Sequence, residues 1–170
     1  MSKRVYWDAC TFLGLINQEP GKLNDCIAVW KEAEAGELFI YTSFFTFAEV
    51  FKVRCENPAK PLSEDGDKKI ELLFRQKWIR PAVVDERIGI AARRLMRHHP
   101  QCKKPSDGIH LATALALSVD EMHTFDGSDL LALTGKIKRA DGKPLTICVP
   151  KATPKPPPEP APPDLFRDDQ

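Results

Sequence analysis

The sequence predicts an α/β fold with a mostly parallel central sheet flanked by helices, and three observations lead there. Short apolar runs with strand character alternate with stretches of helical periodicity through most of the chain, as in parallel strands joined by helices. The 170 residues suffice for one domain with a real core and leave little room for a second. Asp8 and Asp126 fall just after strand-like runs, at the strand ends where folds of this class collect functional side chains.

Val5-Tyr6-Trp7 reads as a short buried strand, and residues 11–16 as a helical turn running into a loop at Glu19-Pro20-Gly21. A helix from about Leu23 carries Ile27, Val29 and Trp30 and should stop near Gly36, where a left-handed C-cap costs a glycine little. Leu38-Phe39-Ile40-Tyr41-Thr42 is the second strand. Ser43 offers a cap to the next helix, expected to run through Phe47, Glu49, Val50 and Val53 and to end before Asn57-Pro58, with Glu49 on its first turns. After a polar loop around Pro61-Leu62-Ser63, the spacing of Ile70, Leu72, Leu73 and Phe74 predicts a helix, and residues 79–84 a third strand.

Asp85 can cap the following helix, whose stripe of Ile88, Ile90, Ala91, Ala92, Leu95 and Met96 ends at His98-His99-Pro100. Ser106 is expected to cap a helix from Asp107 to about Leu117. A strand over 122–124, a helix over 128–133 and a strand over 145–149 complete a domain spanning residues 1–149. Residues 150–170 read as an extended tail, proline-dominated up to Pro163 and closing on Asp164-Leu165-Phe166-Arg167-Asp168-Asp169-Gln170.

The net charge of +1 gives no global argument for a nucleic-acid partner, so any such argument rests on local clustering. Between Lys68 and Lys104 the chain is strongly basic. Arg93, Arg94, Arg97, Lys103 and Lys104 are its candidates for nucleic-acid contact, although each alone also fits the polar face of an amphipathic helix. No apolar run near the start is long enough for a signal peptide or a membrane span, so the cytoplasm is the expected location and no membrane partner is expected. Cys10, Cys26, Cys55, Cys102 and Cys148 are odd in number and widely spaced, which argues against a disulfide framework or a structural zinc site.

Four carboxylates fall where the fold would bring them together: Asp8, Glu49, Asp107 and Asp126. Asp8 and Glu49 are set among apolar neighbours, and a buried carboxylate costs several kcal/mol unless it gains a partner, shifts its pKa or binds a metal. Hard oxygen ligands without His or Cys select Mg2+ or Mn2+. A haloacid-dehalogenase-type phosphohydrolase also begins with a strand and an Asp, but that chemistry needs a second Asp where Cys10 stands.

Four segments carry a resemblance to a known family. They are Val5-Tyr6-Trp7-Asp8-Ala9-Cys10, Phe47-Ala48-Glu49-Val50, Ser106-Asp107-Gly108-Ile109-His110-Leu111-Ala112-Thr113-Ala114 and Thr124-Phe125-Asp126. In order and spacing they resemble the PIN domain, whose members include the ribonuclease toxins of toxin-antitoxin pairs. The resemblance implies that Asp8, Glu49, Asp107 and Asp126 ligate Mg2+ or Mn2+ and act as the catalytic acids of an endoribonuclease. It further implies an RNA substrate, a cognate antitoxin and a homodimer. A catalytically silent RNA-binding or adaptor protein on the same fold is the alternative, disfavoured by the presence of all four acids. Two positions depart from the family's habit: Cys10 stands where a small hydroxyl residue is common, and Gly108 where alanine is usual.

Supporting candidates are Thr124, which either orients ligands or is an ordinary strand threonine, and Asp129, which either assists Asp126 or opens a helix. His110, one turn past Asp107, either faces the site or packs in the helix. His98 and His99 read as solvated residues at a helix end, and Trp7, Trp30 and Trp78 as core.

Overall fold

The computed structural model describes residues 2–56 and 59–154. Five strands form one sheet: β1 (Lys3–Trp7), β2 (Leu38–Ser43), β3 (Ile79–Ala82), β4 (Glu121–His123) and β5 (Thr146–Cys148), in the order β3-β2-β1-β4-β5. Every pairing is parallel. The helices are α1 (Ala9–Ile16), α2 (Leu23–Glu34), α3 (Phe44–Glu49), α4 (Glu64–Phe74), α5 (Glu86–His98) and α6 (Pro105–Ala116). This is the α/β architecture that the alternating pattern predicts. Strand order runs outward in one direction from β1 to β3 and in the other from β4 to β5, so the crevice beyond the ends of β1 and β4 is the topological switch point.

The alternation of side chains along β1 builds both faces of the core. Val5 and Trp7 join Phe12, Val29, Ile40, Phe74 and Trp78 on one face, packed with α1, α2 and α4. Tyr6 points the other way, into a cluster with Leu111, Met122, Leu130, Leu145 and Ile147. All three tryptophans belong to the first cluster, Trp30 partly exposed at its edge, as expected of core residues. A smaller cluster of Ile88, Ala92 and Ala112 joins α5 to α6. A Cβ at Gly108 would stand 3.0 Å from the Met96 side chain, so the glycine allows this close approach without displacing Met96.

Several boundaries differ from the sequence reading. The helix after Ser43 ends at Glu49, not beyond Val53, so Glu49 is its last residue rather than part of an early turn. Val50 leaves helical geometry (φ −85°, ψ 44°), and Phe51 is exposed despite its apolar character. The α4 helix begins earlier than its apolar residues suggest because the Ser63 hydroxyl caps Gly66 N at 3.1 Å. The cap of α6 is Lys104, with Pro105 opening the helix and Ser106 already inside it. Residues 131–133 form a single 3-10 turn instead of a helix over 128–133.

The five cysteines are unpaired. No described helix is long and apolar enough to cross a membrane. Residues 150–154 leave β5, and Thr153 bonds the buried Glu32 of α2 twice, through its amide (2.7 Å) and its hydroxyl (3.1 Å). The remainder of the proline-rich tail, from residue 155, lies outside the described residues.

Candidate metal centre

Asp8 follows β1 directly and is the N-cap of α1, so strand and helix fix its position together. Its Oδ1 accepts from Thr11 N (3.0 Å), Thr11 Oγ1 (2.9 Å) and Cys10 Sγ (3.0 Å). Three donors on one oxygen hold the carboxylate rigidly, while Oδ2 has the Cys10 thiol alone at 3.2 Å. Cys10 also accepts the Phe125 N–H at 3.2 Å and lies 3.4 Å from Thr124 Oγ1. Burial, with the Asp8 charge and hydrogen bond beside it, pushes the thiol far above its ordinary pKa. Cys10 therefore serves as a neutral hydrogen-bonding group, which a small hydroxyl could also be.

The Asp126 carboxylate sits just past β4 in a turn that it organises itself. Its Oδ1 accepts from Ser128 N (3.2 Å), Ser128 Oγ (3.1 Å) and Asp129 N (3.0 Å), while its own amide donates to Thr124 Oγ1 at 3.0 Å. Burial raises the Asp126 pKa, but the Asp129 amide, Lys104 and Ser128 outweigh it and the net shift is downward. Thr124 is thus a buried support of the Asp126 turn. Asp129 is 3 % exposed, too buried for an ordinary helix-opening residue, and lies beside Asp107 and Asp126.

Asp107, in the first turn of α6, is 7 % exposed, and its Oδ2 has no hydrogen-bond partner. Burial, reinforced by the charges of Asp126 and Asp129, raises its pKa to about 6 despite the opposing pull of Lys104 and His110. Ligand oxygens of Asp107, Asp126 and Asp129 lie within 4.8 Å of one another. Lys104 reaches over them, with Nζ at 3.1 Å from Asp126, 3.8 Å from Asp129 and 4.0 Å from Asp107.

On the other side of the cavity, Glu49 is held by α6. Its Oε2 is 2.6 Å from His110 Nε2, and His110 Nδ1 is 2.9 Å from the Tyr6 hydroxyl. Tyr6 donating to Nδ1 and Nε2–H donating to Glu49 is the proton arrangement that satisfies both bonds of His110. The cavity has a volume of about 260 Å3, and Asp8, Glu49, Asp107 and Asp126 all line it, together with Cys10, Lys104 and His110. The four acids proposed from sequence therefore meet at one crevice, the switch point between β1 and β4.

The basic candidates divide. Lys104 lines the cavity and Lys103 pairs with Asp129 at 3.5 Å, whereas Arg93, Arg94 and Arg97 lie exposed on α5 and do not line it. His98 and His99 end α5 away from the acids, beside Ala116 and Ala140. The sequence reading missed the central place of Lys104 and of the His110–Glu49 bond. A signal was present for His110, which stands one turn past Asp107 on the same face of α6, whereas Lys104 precedes the helix with extended backbone.

The donor set suits a hard divalent cation. A buried carboxylate oxygen without a donor, beside two further carboxylates and with no imidazole or thiolate among the three, fits Mg2+ or Mn2+.

A search of curated proteins returned no match. Among solved structures, the chain is similar to the Mycobacterium tuberculosis toxin VapC20, described as cleaving the sarcin-ricin loop, with 16% identity, a TM-score of 0.58, and 75% of this chain and 94% of that chain covered. It also resembles a toxin-antitoxin complex from Klebsiella pneumoniae (16% identity, TM-score 0.54, 88% and 99% covered) and FitAcB from Neisseria gonorrhoeae (20%, 0.51, 86% and 97%). At these identities the likeness is one of fold. The sequence itself matches the PIN domain model over residues 5–133, well over half its length. The chain belongs to the PIN domain family.

Proposed function

We propose that this protein is a divalent-metal-dependent endoribonuclease, the toxin of a toxin-antitoxin pair. The observation that carries the reading is the meeting of Asp8, Glu49, Asp107 and Asp126, from four separate segments, at one cavity where a buried Asp107 oxygen has no hydrogen-bond donor. Asp107, Asp126 and Asp129 would hold Mg2+ or Mn2+, with Asp8 and Glu49 facing the same space. Such an ion supplies Lewis acidity and an activated water for phosphodiester hydrolysis.

The protein's own groups prepare that chemistry. Thr11 and Cys10 fix the Asp8 carboxylate, the Ser128 and Asp129 amides fix Asp126, and the Tyr6–His110 pair points Glu49 inward. Preorganised acids need no rearrangement when substrate arrives. Lys104 lines the cavity and Lys103 pairs with Asp129 beside it, which places both to meet an RNA phosphate.

Likeness to toxins and to toxin-antitoxin complexes supports a cognate antitoxin as partner, and family resemblance supports a homodimer acting in the cytoplasm. Incubating purified protein with single-stranded and structured RNA, in EDTA and in Mg2+ or Mn2+, tests the reaction. Internal cleavage that requires the metal and vanishes in Asp107→Asn is expected. Metal-independent cleavage, or full activity in that variant, would overturn the reading.

A further inference from the structure

Lys104 occupies a position that its local structure disfavours. It is the N-cap residue of α6, where Ser, Thr, Asp or Asn would satisfy a free backbone N–H, and its side chain makes no capping bond. A positive charge at a helix N-terminus also opposes the helix dipole. Extended backbone at Lys104 (φ −97°, ψ 135°) precedes the turn into Pro105, and the side chain returns over the acids. Its ammonium lies 3.1 to 4.0 Å from all three carboxylates of the centre. A residue that breaks two local rules needs a compensating tertiary reason, and here it is the neutralisation of clustered negative charge.

Building on the metal-centre reading above, we infer that Lys104 is the resident cation of the metal-free centre and competes with the divalent ion for Asp107, Asp126 and Asp129. Two observations support displacement over permanent pairing. The Lys104 side chain is 59% exposed, so its contacts are of the weak, solvent-screened kind. The buried Asp107 Oδ2, 4.0 Å from the ammonium, receives no hydrogen bond from it, so the lysine balances charge there without satisfying the oxygen. A divalent ion offers twice the charge and direct coordination. Lys103, at 3.5 Å from Asp129 and in contact with no other acid of the three, has a lesser share in the same balance.

The test is calorimetric titration of the full chain with Mn2+ alone, paired with thermal melts in EDTA, for the parent protein, Lys104→Met and Lys103→Met. In Lys104→Met, Mn2+ should bind about five- to tenfold more tightly, the size expected for removing a few weak ion pairs. The same variant should melt at a lower temperature than the parent in EDTA, where its acids face one another uncompensated. The Lys103→Met variant should shift both readouts in the same directions by less. Unchanged or weaker Mn2+ binding in Lys104→Met, or an unchanged or higher melting temperature in EDTA, overturns the inference while leaving the metal centre intact. Absence of Mn2+ binding in the parent and in both lysine variants would overturn the metal centre itself.

Discussion

Among the described residues two clusters gather side chains of the type that bind metals, and one of them keeps a carboxylate oxygen free for an ion. At the switch point, Asp107, Asp126 and Asp129 converge; on the sheet, Glu121 and His123 of β4 meet Cys148 of β5, and in each set the ligand atoms lie within 4.8 Å of one another. Every strong donor and acceptor in the strand cluster is already engaged. Lys3 bonds Glu121 Oε1 at 2.9 Å, Glu121 Oε2 meets His123 Nε2 at 3.0 Å, and the Trp7 indole lies 3.1 Å from His123 Nδ1. An indole N–H can only donate, so Nδ1 is the acceptor and the His123 proton sits on Nε2, where a metal would need a lone pair. At the acidic centre, Asp107 keeps an unbonded oxygen.

The ionisation of the two clusters runs in opposite directions. The His123 bond, together with Lys3, brings the Glu121 pKa down to about 2, whereas burial takes Asp107 up to about 6. The first carboxylate is held as an anion by its partners; the second is pushed by burial towards its protonated form. Proximity of ligand atoms therefore says less about metal binding than an accounting of which lone pairs are free.

The largest expected separation between the clusters is in catalysis. Removing even a supporting residue of a metal site commonly costs about 10- to 100-fold, so Asp107→Asn or Asp126→Asn should lower initial RNA cleavage rates by on the order of 100-fold or more. Glu121→Gln should leave the rate within about twofold of the parent. A comparable loss in both would mean that the two clusters do not differ in this way.

Thermal melts sharpen it next. A ligand at 100 times its Kd stabilises the native state by about 2.7 kcal/mol, or roughly 5–10 °C for a chain of this size. Saturating Mn2+ should produce that shift in the parent and in Glu121→Gln, and not in Asp107→Asn. In EDTA, Glu121→Gln should itself lose about 1–3 kcal/mol, because its amide keeps one acceptor oxygen and turns an NH2 towards either His123 or Lys3.

Acid titration of the metal-free protein follows with a smaller effect. Glu121, depressed in the fold, contributes stability that is present above its ordinary pKa near 4.5 and is lost as pH falls towards 2. Asp107 has the opposite sign. Its folded form holds a proton that the unfolded chain releases near pH 4, so its contribution should decline as pH rises from about 4 to about 6. Asp107→Asn should flatten that upper window and Glu121→Gln the lower one, as read by chemical denaturation at stepped pH. The smallest effect is a null: Co2+ titration should show no thiolate-to-metal charge-transfer band, since Cys148 Sγ should remain a thiol outside the ion's shell.

Much of the fold was legible because hydrophobic periodicity and capping residues act locally. The Val5-Tyr6-Trp7 run, the Ser43 and Asp85 caps and the Gly36 stop each correspond to an observed boundary within a residue or two. The early end of α3 was not legible, since Val50 and Val53 are both buried and continue a helical-looking pattern while the backbone between them has already left the helix. At the site, the strand-end acids could be read because position along a strand fixes position in the sheet. The roles of Lys104 and Asp129, and the choice of Glu49 as the partner of His110, depend on distances between segments, which spacing along the chain does not encode. The Trp7–His123–Glu121 network was invisible for the same reason, being joined across β1 and β4.

On the proposed function, the switch-point acids, and not the strand cluster, hold the divalent ion. Crystals soaked in Mn2+ and measured at the manganese absorption edge test it directly. An anomalous peak among Asp107, Asp126 and Asp129, on the side facing Asp8 and Glu49, with Lys104 moved off the carboxylates, is the predicted result. A peak at Glu121, His123 and Cys148, or none at the acids at saturating Mn2+, would contradict it.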